Sequence, residues 1–173
     1  PRRPIMGLNW TWGGRSRTKL QSASLRGRRN VGRQLPIPEP TSAAVSRSMK
    51  GNRGKDTAPE LALRQLLRDA GYPGYRLHWK KAPGRPDIAY PGRRIAIFVN
   101  GCFWHRCPHC QPAEPKSHSD FWRRKFELNQ ERDARKQQEL EAAGWTVVTI
   151  WECQLRDAPA AVAEHLRLLL AGD

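Results

Sequence analysis

The four cysteines of the chain are placed where they could bind one metal ion. Three of them are spaced C-x4-C-x2-C, and the fourth follows a predicted strand: Cys102, Cys107, Cys110 and Cys153. Thiolates at this spacing can surround a tetrahedral Zn²⁺, so the sequence predicts a zinc site. His105 and His109 lie in the same segment, and one of them could replace a cysteine. The alternatives are four unligated thiols or, less favoured without an export signal, disulfides.

Two acids and a histidine form a second candidate site, suited to hydrolysis. Pro86-Asp87 begins a predicted strand, where a rigidly held carboxylate can bind a Mg²⁺ that in turn binds a phosphate. Glu60 at a helix start would add a second acid, and His105 a base that titrates near neutral pH. Each residue also has a plainer interpretation. Asp87 would be a turn residue, Glu60 an acid on a solvated helix face, and His105 a zinc ligand.

Aromatic residues flank the cysteine segment. Phe103 and Trp104 lie within it, while Phe121 and Trp122 open a long predicted helix. Exposed rings among cations can stack on bases or wedge between base pairs, although burial in a core is the usual role of tryptophan. Both roles stay open for Phe103 and Trp104, and core burial is favoured for Phe121. The basic residues of the long helix alternate with acids, which indicates a solvated face: Arg123, Arg124, Lys125, Arg132, Arg135 and Lys136.

Charge and composition indicate nucleic acid as the partner. The 173 residues carry a net charge of +15. The pI is about 10.7 and the mean hydropathy −0.75, so polyanions are favoured and no membrane association is expected. Residues 1–46 hold +8 of this charge with little apolar content. We therefore predict that residues 1–45 are a disordered basic tail; the alternative is a wrongly assigned start or an expression remnant.

The elements that must position these residues predict one α/β domain over residues 46–173. The predicted order is helix, three strands, loop, helix, strand, helix, which gives a mixed sheet of about four strands with helices on its faces. Helices are expected over 56–71, 119–143 (capped by Ser119 or Asp120) and 158–170, and strands over 75–79, 85–90, 94–99 and 145–151. The strand at 94–99 is almost wholly apolar and is therefore predicted to be central and buried on both faces.

Several motifs occur in an order that resembles a known family. They are Lys55-Asp56-Thr57-x-Pro59-Glu60, Tyr75-Arg76-Leu77-His78, Pro83-Gly84-Arg85-Pro86-Asp87, Phe98-Val99-Asn100-Gly101-Cys102-Phe103-Trp104-His105, Phe121-Trp122 with Lys125 and Asn129, Glu131-Arg132-Asp133, and Gly144-Trp145 to Trp151-Glu152-Cys153. Over residues 46–156 the chain closely resembles the very short patch repair (Vsr) DNA mismatch endonucleases. The resemblance implies a restriction-endonuclease-like fold. It also implies a Mg²⁺-dependent nick 5′ to the thymine of T:G mismatches that arise from 5-methylcytosine deamination.

The resemblance also implies roles for single residues of the hydrolytic site. Asp87 matches the catalytic aspartate that binds Mg²⁺, and Val99 would offer its backbone carbonyl to the same ion. His105 matches the histidine that activates water, and Glu60 the acid that holds water on the metal. Asn100 stands where some relatives have a histidine, so His105 would act as the base alone.

The resemblance assigns the remaining candidates to zinc and to DNA. Cys102, Cys107, Cys110 and Cys153 fall on a structural zinc site, with His109 open as a substitute for Cys110. Phe103, Trp104 and Trp122 match the aromatic residues that wedge into DNA beside the mismatch.

The function expected on this basis is that of a DNA mismatch endonuclease. It would act as a monomer on double-stranded DNA in the cytoplasm, at the bacterial nucleoid, and mismatch-repair proteins are further candidate partners. A non-catalytic zinc-containing nucleic-acid-binding module is the alternative. A nuclease of the same fold that cuts unmismatched DNA is a third hypothesis.

Overall fold

A computed structural model describes residues 36–43, 46–47, 51 and 54–172, so most of the predicted tail lies outside the described residues. The elements in chain order are α1 (Ala58–Asp69), β1 (Arg76–Leu77), β2 (Ile88–Tyr90), β3 (Ile95–Asn100), α2 (Cys102–His105), α3 (Ser119–Ala142), β4 (Thr146–Trp151), α4 (Glu152–Asp157) and α5 (Pro159–Ala171). The predicted α/β architecture, a mixed sheet flanked by helices, is confirmed. No helix in the described ranges combines the length and apolarity needed to cross a bilayer.

The four strands form one sheet in the order β1-β2-β3-β4. β2 pairs antiparallel with both β1 and β3, whereas β3 and β4 run parallel from Ile95↔Thr146 to Asn100↔Trp151. A parallel pair needs a long crossover, which α3 supplies. Because β3 and β4 end at the same edge of the sheet, the residues that follow them are brought together there.

Both faces of the sheet are covered, as the sequence of β3 predicts. On one face Ile95 and Ile97 join a core with α1 and α5. On the other face Ala96 packs with Leu140 of α3. Burial is complete only in the first half of β3, because its second half emerges beside a cleft. The strand therefore carries its last residues from the core to the site.

The sequence offers Asp56 or Thr57 as the cap of the first helix, and the helix begins at Ala58. Thr57 is the N-cap, Pro59 lies in the first turn, and Glu60 folds back on Thr57 in a capping box. Leu63 and Leu67 are fully buried one turn apart, which anchors α1 to the sheet. The cap therefore also fixes where Glu60 lies.

The strands before the site are shorter than predicted. β1 stops at Leu77 because His78 adopts a left-handed φ of +43°. β2 begins only at Ile88, since Arg85 has a φ of +50° and Pro86 has no N–H to pair. The second interruption leaves Arg85 and Asp87 lining the cleft.

The helix boundaries also differ from the sequence prediction. The segment predicted as a loop after β3 begins with the one-turn helix α2, and α4 follows β4 directly. The N-cap of α3 is His118, at a φ of +54°, rather than Ser119 or Asp120. Short turns of this kind have no apolar periodicity that a sequence could show.

Candidate active site and cysteine cluster

A cleft of about 1180 Å³ lies beside the start of β2 and the last residues of β3. It is lined by all four residues predicted for the hydrolytic site: Glu60, Asp87, Val99 and His105. The start of α1, the PGRPD segment, α2 and α3 contribute these and other lining residues. The structure therefore brings together groups that are up to 45 positions apart in the sequence.

Asp87 is held at the edge of β3 by a backbone group. The N–H of Val99 donates to Asp87 Oδ2 over 2.8 Å. Burial raises the pKa of Asp87, and the nearby charge of Glu60 raises it further, although the Val99 N–H opposes both effects. The N–H and C=O of one strand residue face the same neighbour, so the Val99 carbonyl lies on the same edge as this carboxylate.

Glu60 is buried, with only 5% of its surface exposed, so the interpretation as an acid on a solvated face is wrong. The Thr57 hydroxyl donates to its Oε1 at 2.9 Å, and the Asp56 N–H donates to its Oε2 at 3.1 Å. Arg64 Nη2 donates to the same Oε2 at 3.0 Å, and Arg64 Nη1 donates to Asp56 Oδ1 at 2.6 Å. Helix cap and arginine therefore fix this carboxylate in a single orientation.

His78 lies between the two acids and was not predicted as a site residue. Its Nε2 is 3.7 Å from Glu60 Oε2, and its Nδ1 is 3.8 Å from Asp87 Oδ1. These distances are too long for direct hydrogen bonds and suit a bridging water. The His78 N–H donates to the Asp87 carbonyl over 3.1 Å, which fixes its left-handed backbone. The only sequence signal for His78 is its place in the Tyr75–His78 motif.

His105 is paired with Asp133, a residue to which the sequence gave no role. His105 Nδ1 and Asp133 Oδ2 form a short hydrogen bond between α2 and α3. Burial tends to raise the pKa of Asp133, but this hydrogen bond and the charge of His105 outweigh it and lower the pKa. The aspartate is therefore ionised, accepts the Nδ1–H and leaves Nε2 as the basic nitrogen.

A second side chain of α3, Asn129, also holds α2 in place. Asn129 Nδ2 donates to the Trp104 carbonyl over 2.8 Å, one turn before Asp133 on α3. Asn129 is buried although it is polar. This spacing of four residues is the signal that could have placed Asp133 toward the site. Two side chains of α3 thus hold both the backbone of α2 and its histidine ring.

The four cysteines form one cluster at the shared end of β3 and β4. Their Sγ atoms all lie within 4.8 Å of one another, and Cys107 Sγ is 3.6 Å from Cys153 Sγ. The Cys153 N–H donates to Cys102 Sγ over 3.3 Å. All four are free thiols, three buried and Cys110 exposed. His109 lies outside the cluster, with its ring against Trp151.

The electrostatics of the cluster suit a bound cation. At Cys107 burial is outweighed by hydrogen bonds, which lower the pKa of that thiol, whereas burial raises the pKa of Cys102 to about 11 and that of Cys153 further. A divalent ion removes that cost by binding the thiolates directly. Four sulfur donors at these separations fit the tetrahedral preference of Zn²⁺.

The aromatic residues form a second cluster beside α2. The Phe103 ring lies 5.2 Å from Trp104, 5.3 Å from Trp122 and 5.3 Å from Phe126. Only Phe126 is buried; Phe103, Trp104 and Trp122 are half-buried, and Trp104 reaches the cleft. Phe121, favoured for the core, is also only half-buried against Trp122. The cluster is therefore anchored at its base and accessible at its edge.

Comparison with known proteins identifies the family. The profile described as "DNA mismatch endonuclease Vsr" matches residues 40–111. The chain is 46% identical over 122 residues to "Type II nicking enzyme V.XorIIP" of Xanthomonas oryzae pv. oryzae, covering 70% of this chain and 88% of that protein. The chain belongs to the Vsr family. The match to the profile contains Asp87 and His105, whereas Asp133 and Cys153 lie beyond it.

Two further relatives extend the Vsr comparison. "Type II nicking enzyme V.NaeI" of Lentzea aerocolonigenes is 40% identical over 141 residues, 78% of this chain and 84% of that protein. "DNA mismatch endonuclease Vsr" of Escherichia coli K12 is 36% identical over 136 residues, 76% of this chain and 86% of that protein. The predicted resemblance is confirmed, and the family makes this chain a DNA endonuclease with DNA as its substrate.

Proposed function

We propose that this Vsr-family protein nicks double-stranded DNA 5′ to the thymine of a T:G mismatch and so initiates very short patch repair. The observation that carries the proposal is one cleft that contains Asp87, a buried Glu60 and the paired His105 and Asp133. The names of relatives as nicking enzymes and as a mismatch endonuclease support it. A binding module would need neither a paired histidine nor a desolvated carboxylate.

His105 supplies the base in this proposal. Its Nε2 accepts a proton from the water that attacks the phosphorus, while Asp133 holds Nδ1–H and stabilises the resulting imidazolium. Asn100 ends β3 but cannot titrate, so the proton transfer depends on His105. General-base catalysis by one positioned histidine is worth about 10²- to 10⁴-fold.

The oxygen groups at the edge of β3 fit a magnesium site. The Asp87 carboxylate and the Val99 carbonyl are the hard ligands that Mg²⁺ prefers, with Glu60 as a second acid nearby. When bound, the ion would stabilise negative charge on the phosphate. The Val99 N–H keeps Asp87 Oδ2 oriented and leaves Oδ1 toward His78.

The cysteine and aromatic clusters would supply structure and selectivity. Cys102, Cys107, Cys110 and Cys153 would hold a structural Zn²⁺ that fixes both ends of α2. Phe103, Trp104 and Trp122 would wedge into the duplex, which costs least where a mispair already weakens stacking.

The test is nicking of a T:G duplex compared with its C:G parent, with Mg²⁺ and with a chelator. We expect Mg²⁺-dependent nicking of the T:G duplex only. Asp87→Ala should abolish nicking and retain binding, whereas Asp157→Ala, which alters an exposed ion pair with Arg156, should change neither.

Each other result contradicts a defined part of the proposal. Equal cutting of both duplexes favours a nuclease for unmismatched DNA, and binding without cutting favours the non-catalytic module. Wild-type activity in Asp87→Ala would exclude this carboxylate as the metal ligand.

A further inference from the structure

Lys136 of α3 lies in the cleft, where the charge pattern of the helix predicts only a solvated face. It is half-buried and lines the cleft one turn after Asp133. Arg123 and Arg124, on the same helix, are exposed and paired with acids, as predicted. None of the ion pairs found among the described residues involves Lys136. Its ammonium is therefore a cation in the site that no carboxylate within 4 Å pairs with among the described residues.

The backbone of the PGRPD segment positions the Lys136 side chain. A Cβ added at Gly84 would lie 2.9 Å from Lys136 Cβ and from Lys136 Cγ, so the glycine backbone packs directly on the alkyl stem. Gly84 also has a φ of +69°, which disfavours any other residue there. The ammonium lies 5.6 Å from the centre of the Phe98 ring. Lys136 is thus fixed relative to Asp87, three residues after Gly84.

The charges around Lys136 leave its donors available to an incoming anion. Burial and the nearby Arg132 lower the pKa of Lys136, whereas Asp133 and Asp87 raise it. Both carboxylates are already engaged, Asp87 by the Val99 N–H and Asp133 by His105. Since both neighbouring carboxylates already accept hydrogen bonds, the half-buried ammonium would be stabilised most by a ligand that carries its own negative charge.

We propose that Lys136 binds a non-bridging oxygen of the phosphodiester that is cleaved and stabilises the charge that develops there. The proposal rests on the nuclease function proposed above. Its geometric basis is the placement of the ammonium in the cleft that holds Asp87 and the His105–Asp133 pair. Asn100 at the end of β3 is uncharged, whereas Lys136 of α3 brings a positive charge into the same cleft. Three N–H donors on a clamped stem suit an anionic tetrahedral group.

The experiment compares Lys136→Met, Lys136→Arg and the control Arg167→Met on the T:G duplex. Methionine retains the stem that packs on Gly84, and Arg167 is an exposed α5 residue, paired with Glu164, outside the cleft. Single-turnover nicking and the salt dependence of binding are measured. Lys136→Met should slow nicking by about 10²-fold and reduce the slope of log K against log salt by about 0.9. Lys136→Arg should recover part of the rate, and Arg167→Met should nick as wild type.

The two readouts separate this inference from the function on which it rests. If wild type nicks the T:G duplex and Lys136→Met nicks equally fast, the Lys136 inference is overturned and the proposed function stands. If wild type cuts no duplex, the proposed function fails, and an unchanged salt slope for Lys136→Met then overturns the inference separately. Should thermal melts show that Lys136→Met is unfolded, Lys136→Gln undergoes the same two measurements.

Discussion

Replacing Asp133 by asparagine tests whether the His105–Asp133 pair acts as a base and its orienting group. The change keeps the size of the side chain and removes the charge that accepts the Nδ1–H of His105. The asparagine amide can instead donate to Nδ1, which places the proton on Nε2, the nitrogen that must accept it from water. Binding of DNA should persist because no phosphate-binding cation is removed.

The expected loss of rate follows from the shielding of the pair. The side chains of His105 and Asp133 are only 20% and 26% exposed, so solvent compensates little for the lost partner. A hydrogen bond to a charged group is worth about 1.5–3 kcal/mol, which corresponds to a rate loss of roughly 10- to 150-fold. The upper limit is the loss in His105→Ala, about 10²- to 10⁴-fold, because Asp133 acts only through this ring.

The assay is single-turnover nicking of a T:G duplex by wild type, Asp133→Asn, His105→Ala and the double variant. The double variant should be no slower than His105→Ala, since the two residues form one unit. Wild-type rates in Asp133→Asn would refute the reasoning. So would rate losses that simply multiply in the double variant, because independent effects exclude an orienting role.

Three further predictions concern stability, zinc and selectivity. Asp87→Asn should melt above wild type at pH 7. The folded state raises the pKa of Asp87, so ionisation of this carboxylate destabilises the folded protein at pH 7, and this penalty disappears in acid. The gap should close as pH falls through that pKa; a gap that widens in acid contradicts the burial argument. Cys153→Ser should lose nearly all bound zinc by elemental analysis and melt lower, whereas unchanged zinc content would exclude the assigned ligands. Trp104→Ala should weaken T:G binding by about 1–3 kcal/mol while C:G binding stays constant, and equal losses on both duplexes would contradict a wedge.

The parts of the fold that the sequence predicts are those with local causes. Thr57 and Glu60 cap α1 with groups three residues apart, and apolar residues after them repeat at helical spacing. β3 and β4 are apolar and rich in β-branched residues, which predicts their burial. The family motifs then placed Asp87 and His105, both of which line the cleft.

The residues that the sequence did not predict are fixed by contacts between distant segments. Acids and bases alternate along α3, so no charge pattern distinguishes Lys136, and Asp133 is marked only by its place in the Glu131-Arg132-Asp133 motif. His78 depends on a left-handed backbone after β1, and no local rule places that conformation at a histidine. Glu60 is buried where Arg64 and His78 contact its carboxylate, and His78 comes from a separate segment.

The one-turn helix α2 carries Phe103 and Trp104 together with His105, and cysteines begin and follow it. Because α3 holds the Trp104 carbonyl and the His105 ring, a shift of the α2 backbone would move the aromatic rings and the imidazole together. In the proposed mechanism, the aromatic wedge and the base that activates water therefore lie on one helix, and a wedge that is poorly seated in the duplex would also displace the base. Under the proposed function, recognition of the mismatch and alignment of the base would therefore be coupled at the cutting step. An engineer who reshapes the aromatic residues to accept another mispair would have to restore the alignment of the histidine in the same design.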